Sequence, residues 1–277
     1  MPTADGDRRG AGGAARPGAP GAEPWAEVRG SGRPIVLLHG LADSHDLLRH
    51  QVPLLERSWT TIAVDHLGHG RTPLPTGPLT TARMADAVAA LLDRLATGPA
   101  VVVGLSMGGG VAQVLALRRP DLVRALVLVS TSSEFPATTR ERFTARAALA
   151  EREGMAAVLD STVPRWFTPE FAAAHPAEVA RTERTVLAND PLAFAAASRA
   201  NAERDWTGRL GEIRCPVLFV GGDRDPADAT RAAATFRAHL PDVRVEIVAG
   251  TSHLVPVEAP DRFAALLLAF LDEIGYS

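Results

Sequence analysis

A chain of 277 residues, 46% of them hydrophobic, can bury a large single core, and its mixed net charge of −3 lacks the basic stripe of a nucleic-acid binder. No apolar run approaches the roughly 18 residues of a membrane-spanning helix, so no membrane is expected as a partner. The 29 basic residues are all arginine, which excludes Schiff-base lysine chemistry, a P-loop lysine and a Ser-Lys dyad.

Residues 1–23, "MPTADGDRRGAGGAARPGAPGAE", are rich in Gly, Ala and Pro and predict a disordered tail. The Arg8-Arg9 pair has no apolar segment behind it and so does not read as an export signal. "WAEVRGSGR" supplies one strand. Further apolar runs at 34–40, 60–65, 100–106, 125–131, 216–222 and 243–250 predict strands. Most are near-continuous Val, Ile and Leu, the pattern of strands covered on both faces. Helical patterns fall at about 80–96, 107–119, 227–239 and 259–273. This alternation predicts an α/β fold with a mostly parallel, twisted sheet flanked by helices. Residues 135–208 contain no strand-like run. They predict an inserted helical cap that divides the core into 24–134 and 209–277. Cys215, the single cysteine, stands at the mouth of "RCPVLFV" and reads as a buried core thiol. A lone cysteine suits a reducing, cytoplasmic compartment.

The chemistry centres on "VVVGLSMGGG", residues 101–110. Gly104-Leu105-Ser106-Met107-Gly108 fits G-x-S-x-G between a strand and a helix. There a sharp turn exposes a serine hydroxyl at the carboxyl end of a sheet. Gly109 and Gly110 are expected to let the helix pack closely on the sheet. A serine needs a base. Of eight histidines, His253 follows the last strand and opens at the same sheet edge. His39, beside Gly40, reads as a residue that shapes backbone. His66 and His69 lack further ligands at metal spacing, and His45, His50, His175 and His239 read as surface or cap residues. The base needs an acid, and "FVGGDRDPADAT" offers Asp223, Asp225 and Asp228.

These pieces resemble the α/β-hydrolase superfamily over residues 25–275, through "LLHGLADS", "AVDHLGHGRT", "GLSMGGG", "PVLFVGGDRD" and "GTSHLVPVEAPDRF". "VPRWFTPEF" and "RLGEIRCPVLFVGGDRD" are most similar to 3-oxoadipate enol-lactonases and nearby carboxylesterases. The resemblance implies Ser106 as nucleophile, His253 as general base and Asp225 as acid, with Asp223 as the fallback. It also implies an oxyanion hole from the backbone N–H groups of Leu41 and Met107. The family commonly carries proline a few residues after the acid, where this chain reads "DPADAT". The expected reaction is acyl transfer from an ester or lactone to water, needing neither metal nor organic cofactor. A small-molecule ester or lactone is the expected partner. Trp166 and Phe167 suggest an apolar substrate wall. Arg165, with Arg140, Arg142, Arg146 and Arg152, offers a carboxylate clamp, the alternative being a solvated helix face. Lyase, cyclase or carbon–carbon cleaving chemistry on the same fold stays open, as does a non-catalytic small-molecule receptor.

Overall fold

The computed structural model describes residues 23–277. The tail expected over 1–23, with its Arg8-Arg9 pair, lies outside the described residues except for Glu23, which pairs with Arg94. One sheet holds β1 (Ala26–Arg29), β2 (Pro34–Leu38), β3 (Thr60–Val64), β4 (Ala100–Leu105), β5 (Val123–Val129), β6 (Val217–Gly222) and β7 (Val243–Val248). Their order is β1-β3-β2-β4-β5-β6-β7. β1 runs antiparallel to β3, and every other neighbouring pair is parallel. β4 is buried at all of its positions and β5 at all but Arg124. Central strands covered on both faces need this continuous apolar pattern. β7 differs. Its "VRVEIV" is half-buried over most of its length because it forms an open edge, where Arg244 and Glu246 pair with each other.

The helices are α1 (Val52–Leu55), α2 (Thr81–Arg94), α3 (Met107–Arg118), α4 (Ala137–Glu153), α5 (Ala156–Leu159), α6 (Pro169–Ala174), α7 (Pro176–Leu187), α8 (Pro191–Ala202), α9 (Ala229–His239), α10 (Val255–Glu258) and α11 (Pro260–Glu273). α2 starts where the Thr80 hydroxyl accepts from Arg83 N–H (3.1 Å). It buries Met84, Val88, Leu91 and Leu92 at helical spacing. α11 does the same with Phe263, Leu267, Phe270 and Leu271. From α4 through α8 the chain is helical. α4 and α8 pack on each other, and each buries alanines, Ala147 and Ala150 in α4 and Ala197 and Ala200 in α8. A bidentate Arg199–Glu151 pair (2.6 and 2.7 Å) closes their outer edge. An isolated bridge, Glu134 to Asp205, ties the two ends of this helical segment together.

The topology sets where chemistry can occur. From β2 the chain steps outward to β3, then returns to β4 on the other side of β2. Loops leaving β2 and β4 therefore diverge at the carboxyl edge, and the crevice between them is the usual ligand site of an open α/β sheet. Ser106 follows β4 directly, and Gly40-Leu41 follow β2.

Candidate active site

Ser106 sits between β4 and α3 with φ 53° and ψ −107°. A non-glycine residue held there costs on the order of 1–3 kcal/mol. The surroundings force it. Ser106 N–H donates to Val129 O (2.9 Å) at the end of β5, and its carbonyl accepts from the Thr131 hydroxyl (2.7 Å). The flanking glycines are steric necessities. A Cβ at Gly104 would lie 2.5 Å from Gly108 O, and one at Gly108 would lie 2.4 Å from Leu38 O. Met107 is the first residue of α3, so its N–H has no partner within the helix. Its side chain is buried in the core.

A cavity of about 280 Å³ opens over this turn. Ser106, Leu41, Asp225, His253 and Trp166 all line it. His253 Nδ1 donates to Asp225 Oδ2 (2.9 Å). Asp225 is itself fixed: its Oδ1 accepts from Ala227 N–H (2.8 Å), and its side chain is 1% exposed. Asp223 is placed elsewhere, accepting from Gly250 N–H (2.7 Å) at the surface. Asp228 caps α9, accepting from Arg231 N–H (3.0 Å). The "FVGGDRDPADAT" stretch thus gives its three carboxylates three different partners.

The β2 loop is held from below by neutral histidines. His39 Nδ1 lies 2.6 Å from Gly40 O, while its Nε2 accepts from His66 N–H (3.0 Å). Only the tautomer protonated on Nδ1 satisfies both. His69 Nε2 accepts from Ala42 N–H (3.2 Å), whose φ is 62°. Burial drives His39 down to about 3 and His69 down to about 4. His69 is spent on this scaffold, His66 joins it through its backbone N–H alone with both ring nitrogens buried and unpartnered, and among the described residues no cluster of His, Cys, Asp and Glu could hold a metal ion. His45 is not a plain surface residue. It pairs with the buried Asp65 (2.9 Å), whose carboxylate also accepts from Arg71 N–H (2.9 Å). Asp43 lines the cavity, and burial pushes its carboxyl up to about 6.

Of the aromatic pair expected as a substrate wall, only Trp166 lines the cavity. Phe167 is 5% exposed and stacks on Phe171 at 5.4 Å. Adjacent residues leave this short turn in different directions, and Phe167 is turned into the core. Arg142, Arg146 and Arg165 all reach the cavity. Arg140 and Arg152 do not; they pair with Asp205 and Glu153. Burial, with Arg142 and Arg165 nearby, lowers Arg146 to about 10, and its Nε has no partner. Among the described residues none of these three arginines forms an ion pair, whereas Arg231, which also lines the cavity, pairs with Glu134.

Two residues that sequence reasoning missed organise the site. Glu258, in α10, accepts from Thr168 N–H (2.6 Å) and also from Ser252 N–H, so it ties the helical segment to the His253 loop. Leu254 N–H adds a bond to Trp166 O (3.1 Å). Arg204, just past α8, is 1% exposed and donates to Ser106 O (3.1 Å). Arg204 lies in no recognisable motif, Glu258 stands within "GTSHLVPVEAPDRF" with no role assigned to it, and neither role could be read before the fold placed their partners. Cys215 is half-buried, and burial pushes its thiol up to about 11.

A seven-stranded, mostly parallel sheet with a strand–serine–helix turn at its carboxyl edge defines an α/β hydrolase. The family model for the alpha/beta hydrolase fold matches residues 33–260, and the chain belongs to that family. It is a hydrolase. One similar protein is 3-oxoadipate enol-lactonase 2 of Acinetobacter baylyi, 27% identical over 83% of this chain and 85% of the relative. Among solved structures, the enol-lactonase of Burkholderia xenovorans LB400 is 27% identical with a TM-score of 0.87, covering 91% of this chain and 97% of that one. A malate-bound thermophilic esterase from Thermogutta terrifontis is 28% identical with a TM-score of 0.84, covering 91% and 93%. Among the described residues, no helix is long and apolar enough to cross a membrane.

Proposed function

We propose that this chain is a serine hydrolase that cleaves an ester or lactone through an acyl-enzyme on Ser106. The observation that carries the reading is the His253–Asp225 pair (2.9 Å) facing the same cavity as the strained Ser106. With Nδ1 committed to Asp225, Nε2 is the ring nitrogen left to take the serine proton. The Ser106 oxygen attacks the carbonyl carbon, and the carbonyl oxygen becomes an oxyanion held by the N–H groups of Leu41 and Met107. The carbon–oxygen bond then breaks, and the leaving oxygen takes the proton from His253. In a lactone that oxygen stays tethered as the ring opens. Water, deprotonated by His253, attacks the acyl carbon, the bond from that carbon to Ser106 Oγ breaks, and Ser106 takes the proton back from His253 as the acid leaves.

The helical segment acts as a cap over this cavity. Its Arg142, Arg146 and Arg165 support a substrate carrying a carboxylate, a carboxylated enol-lactone among them, since guanidinium reads carboxylates in two-pronged fashion. The malate bound to the similar Thermogutta esterase, a dicarboxylate, is consistent with this choice. The single cysteine fits a reducing, cytoplasmic setting. The test is Ser106→Ala, assayed with p-nitrophenyl acetate and with a lactone, beside fluorophosphonate labelling of the wild type. Activity is expected to fall by about 10³-fold or more, and the label to map to Ser106. Full activity in the variant, or a wild type that takes no label, overturns the reading.

A further inference from the structure

Arg204 is among the largest fully buried side chains of the protein, yet among the described residues it has no carboxylate partner. Its Nη1 donates to the Thr131 hydroxyl (2.7 Å) and to Ser132 O (2.8 Å). Its Nη2 donates to Ser106 O (3.1 Å) and to Asn201 Oδ1 (2.5 Å). The guanidinium plane stacks over Phe135, 4.7 Å from the ring centroid, and Trp206 flanks it at 5.6 Å. Every polar acceptor is neutral. Burial lowers its pKa to about 9, still well above neutrality, so the charge persists.

An unpaired buried charge is expensive, and a fold that needed only a spacer here could use an apolar side chain. Instead the surroundings are shaped to admit the cation. A Cβ at Gly110 would lie 2.6 Å from Nη2, so the third glycine after Ser106 faces the guanidinium and not the sheet. Thr131 is shared: it accepts from Arg204 and donates to the same Ser106 carbonyl. The one remaining donor, Nε, has no partner and is buried under the rings. The side chain therefore has no N–H to spare for a substrate. What it offers the site is a fixed position for the Ser106 backbone and an uncompensated positive charge behind it.

We infer that Arg204 is a positioning residue for Ser106 whose uncompensated charge favours the negative charge that develops at the serine oxygen and the oxyanion. The inference rests on Ser106 being the nucleophile. The geometry separates its two contributions. Asn201 Oδ1 touches Nη2, so Asn201→Asp places a carboxylate against the guanidinium with almost no change of shape. That neutralises the charge and keeps the hydrogen-bonded fork. Arg204→Lys keeps the charge and loses the fork, and Arg204→Met loses both.

The experiment measures the rate of fluorophosphonate labelling, kcat and KM on p-nitrophenyl acetate, and thermal unfolding for the wild type and the three variants. Expected for Asn201→Asp is a fall of roughly tenfold in kcat and in labelling rate. This is less than the 10²–10³ lost with a direct oxyanion donor. KM and melting temperature should stay near wild type. Arg204→Met should lose more than Arg204→Lys. If Asn201→Asp folds and labels at the wild-type rate, the charge has no role and the inference is overturned. That outcome is decisive even if Arg204→Met fails to fold. A wild type that takes no label would instead overturn Ser106 as nucleophile, so the two failures are distinguishable.

Discussion

Asp223 and Asp225 stand two residues apart after β6, and only the second reaches His253. Asp225 meets the ring nitrogen at 2.9 Å while Ala227 N–H holds its other oxygen. A buried acceptor of this kind fixes the tautomer that leaves Nε2 free to take a proton. Asp225→Asn keeps the size and removes the charge that steadies the imidazolium, so kcat is expected to fall by about 10³–10⁴. Asp223→Asn removes a surface acceptor of Gly250 and should leave kcat within about twofold. Steady-state kinetics of the two variants on one ester decide this, and equal losses would contradict the assignment. Phe167 and Trp166 part in the same way. Both are apolar and adjacent, and the turn sends one to the core and the other to the cavity.

At the scale of elements, the cap segment does two things. α4 and α8 pack on each other, and α4 carries Arg142 and Arg146 to the cavity while the turn before Trp166 carries Arg165 there. Arg146 is held by the Thr162 hydroxyl at 2.5 Å and by no acid. Burial chiefly, and repulsion from Arg165 in addition, lowers Arg142 as well. A bound carboxylate would relieve that repulsion. Arg165→Ala is therefore expected to raise KM for a carboxylated lactone by about tenfold while changing KM for p-nitrophenyl acetate by less than about twofold. Equal changes for both substrates would show that the arginine serves the cap alone.

For the whole molecule, the buried histidines set the response to acid. His39, His66 and His69 are held neutral, with His39 near 3, His69 near 4 and His66 well below its usual value, all chiefly through burial. In the unfolded chain each titrates near 6.5. Below that pH the unfolded state binds protons that the folded state refuses, so stability is fully present above about 6.5 and falls with pH. The loss is roughly 2 kcal/mol for each histidine between pH 6.5 and about 5. Asp43 opposes this: it titrates near 6 when folded and near 3.9 when unfolded, which offsets roughly 1 kcal/mol in that window. His45, raised by its hydrogen bond to Asp65, is protonated in both states over most of the window and contributes little. Three groups outweigh one. The melting temperature is expected to drop by on the order of 10 °C from pH 6.5 to about 5. A flat profile in calorimetry would contradict the neutral cluster.

The strands, the flanking helices and the G-x-S-x-G turn were all legible in the sequence, because hydrophobic period and glycine placement are local consequences of backbone geometry. The order of β6, "FVGGDRDPADAT" and the His253 loop also narrowed the acid and base to a few residues. Residue pattern alone did not separate Asp225 from Asp223, and only the family resemblance favoured Asp225, since both sit in one loop and packing chooses the carboxylate that turns inward. Nor did it mark His45, Glu258 or Arg204, whose partners lie 20, 90 and 98 residues away in the chain. Gly110 looked like a residue for close helix–sheet packing, and its neighbour proved to be a cation from the far end of α8. Local pattern determined the elements and the serine. Long-range packing, which brings distant side chains into contact and excludes water from them, decided what surrounds that serine.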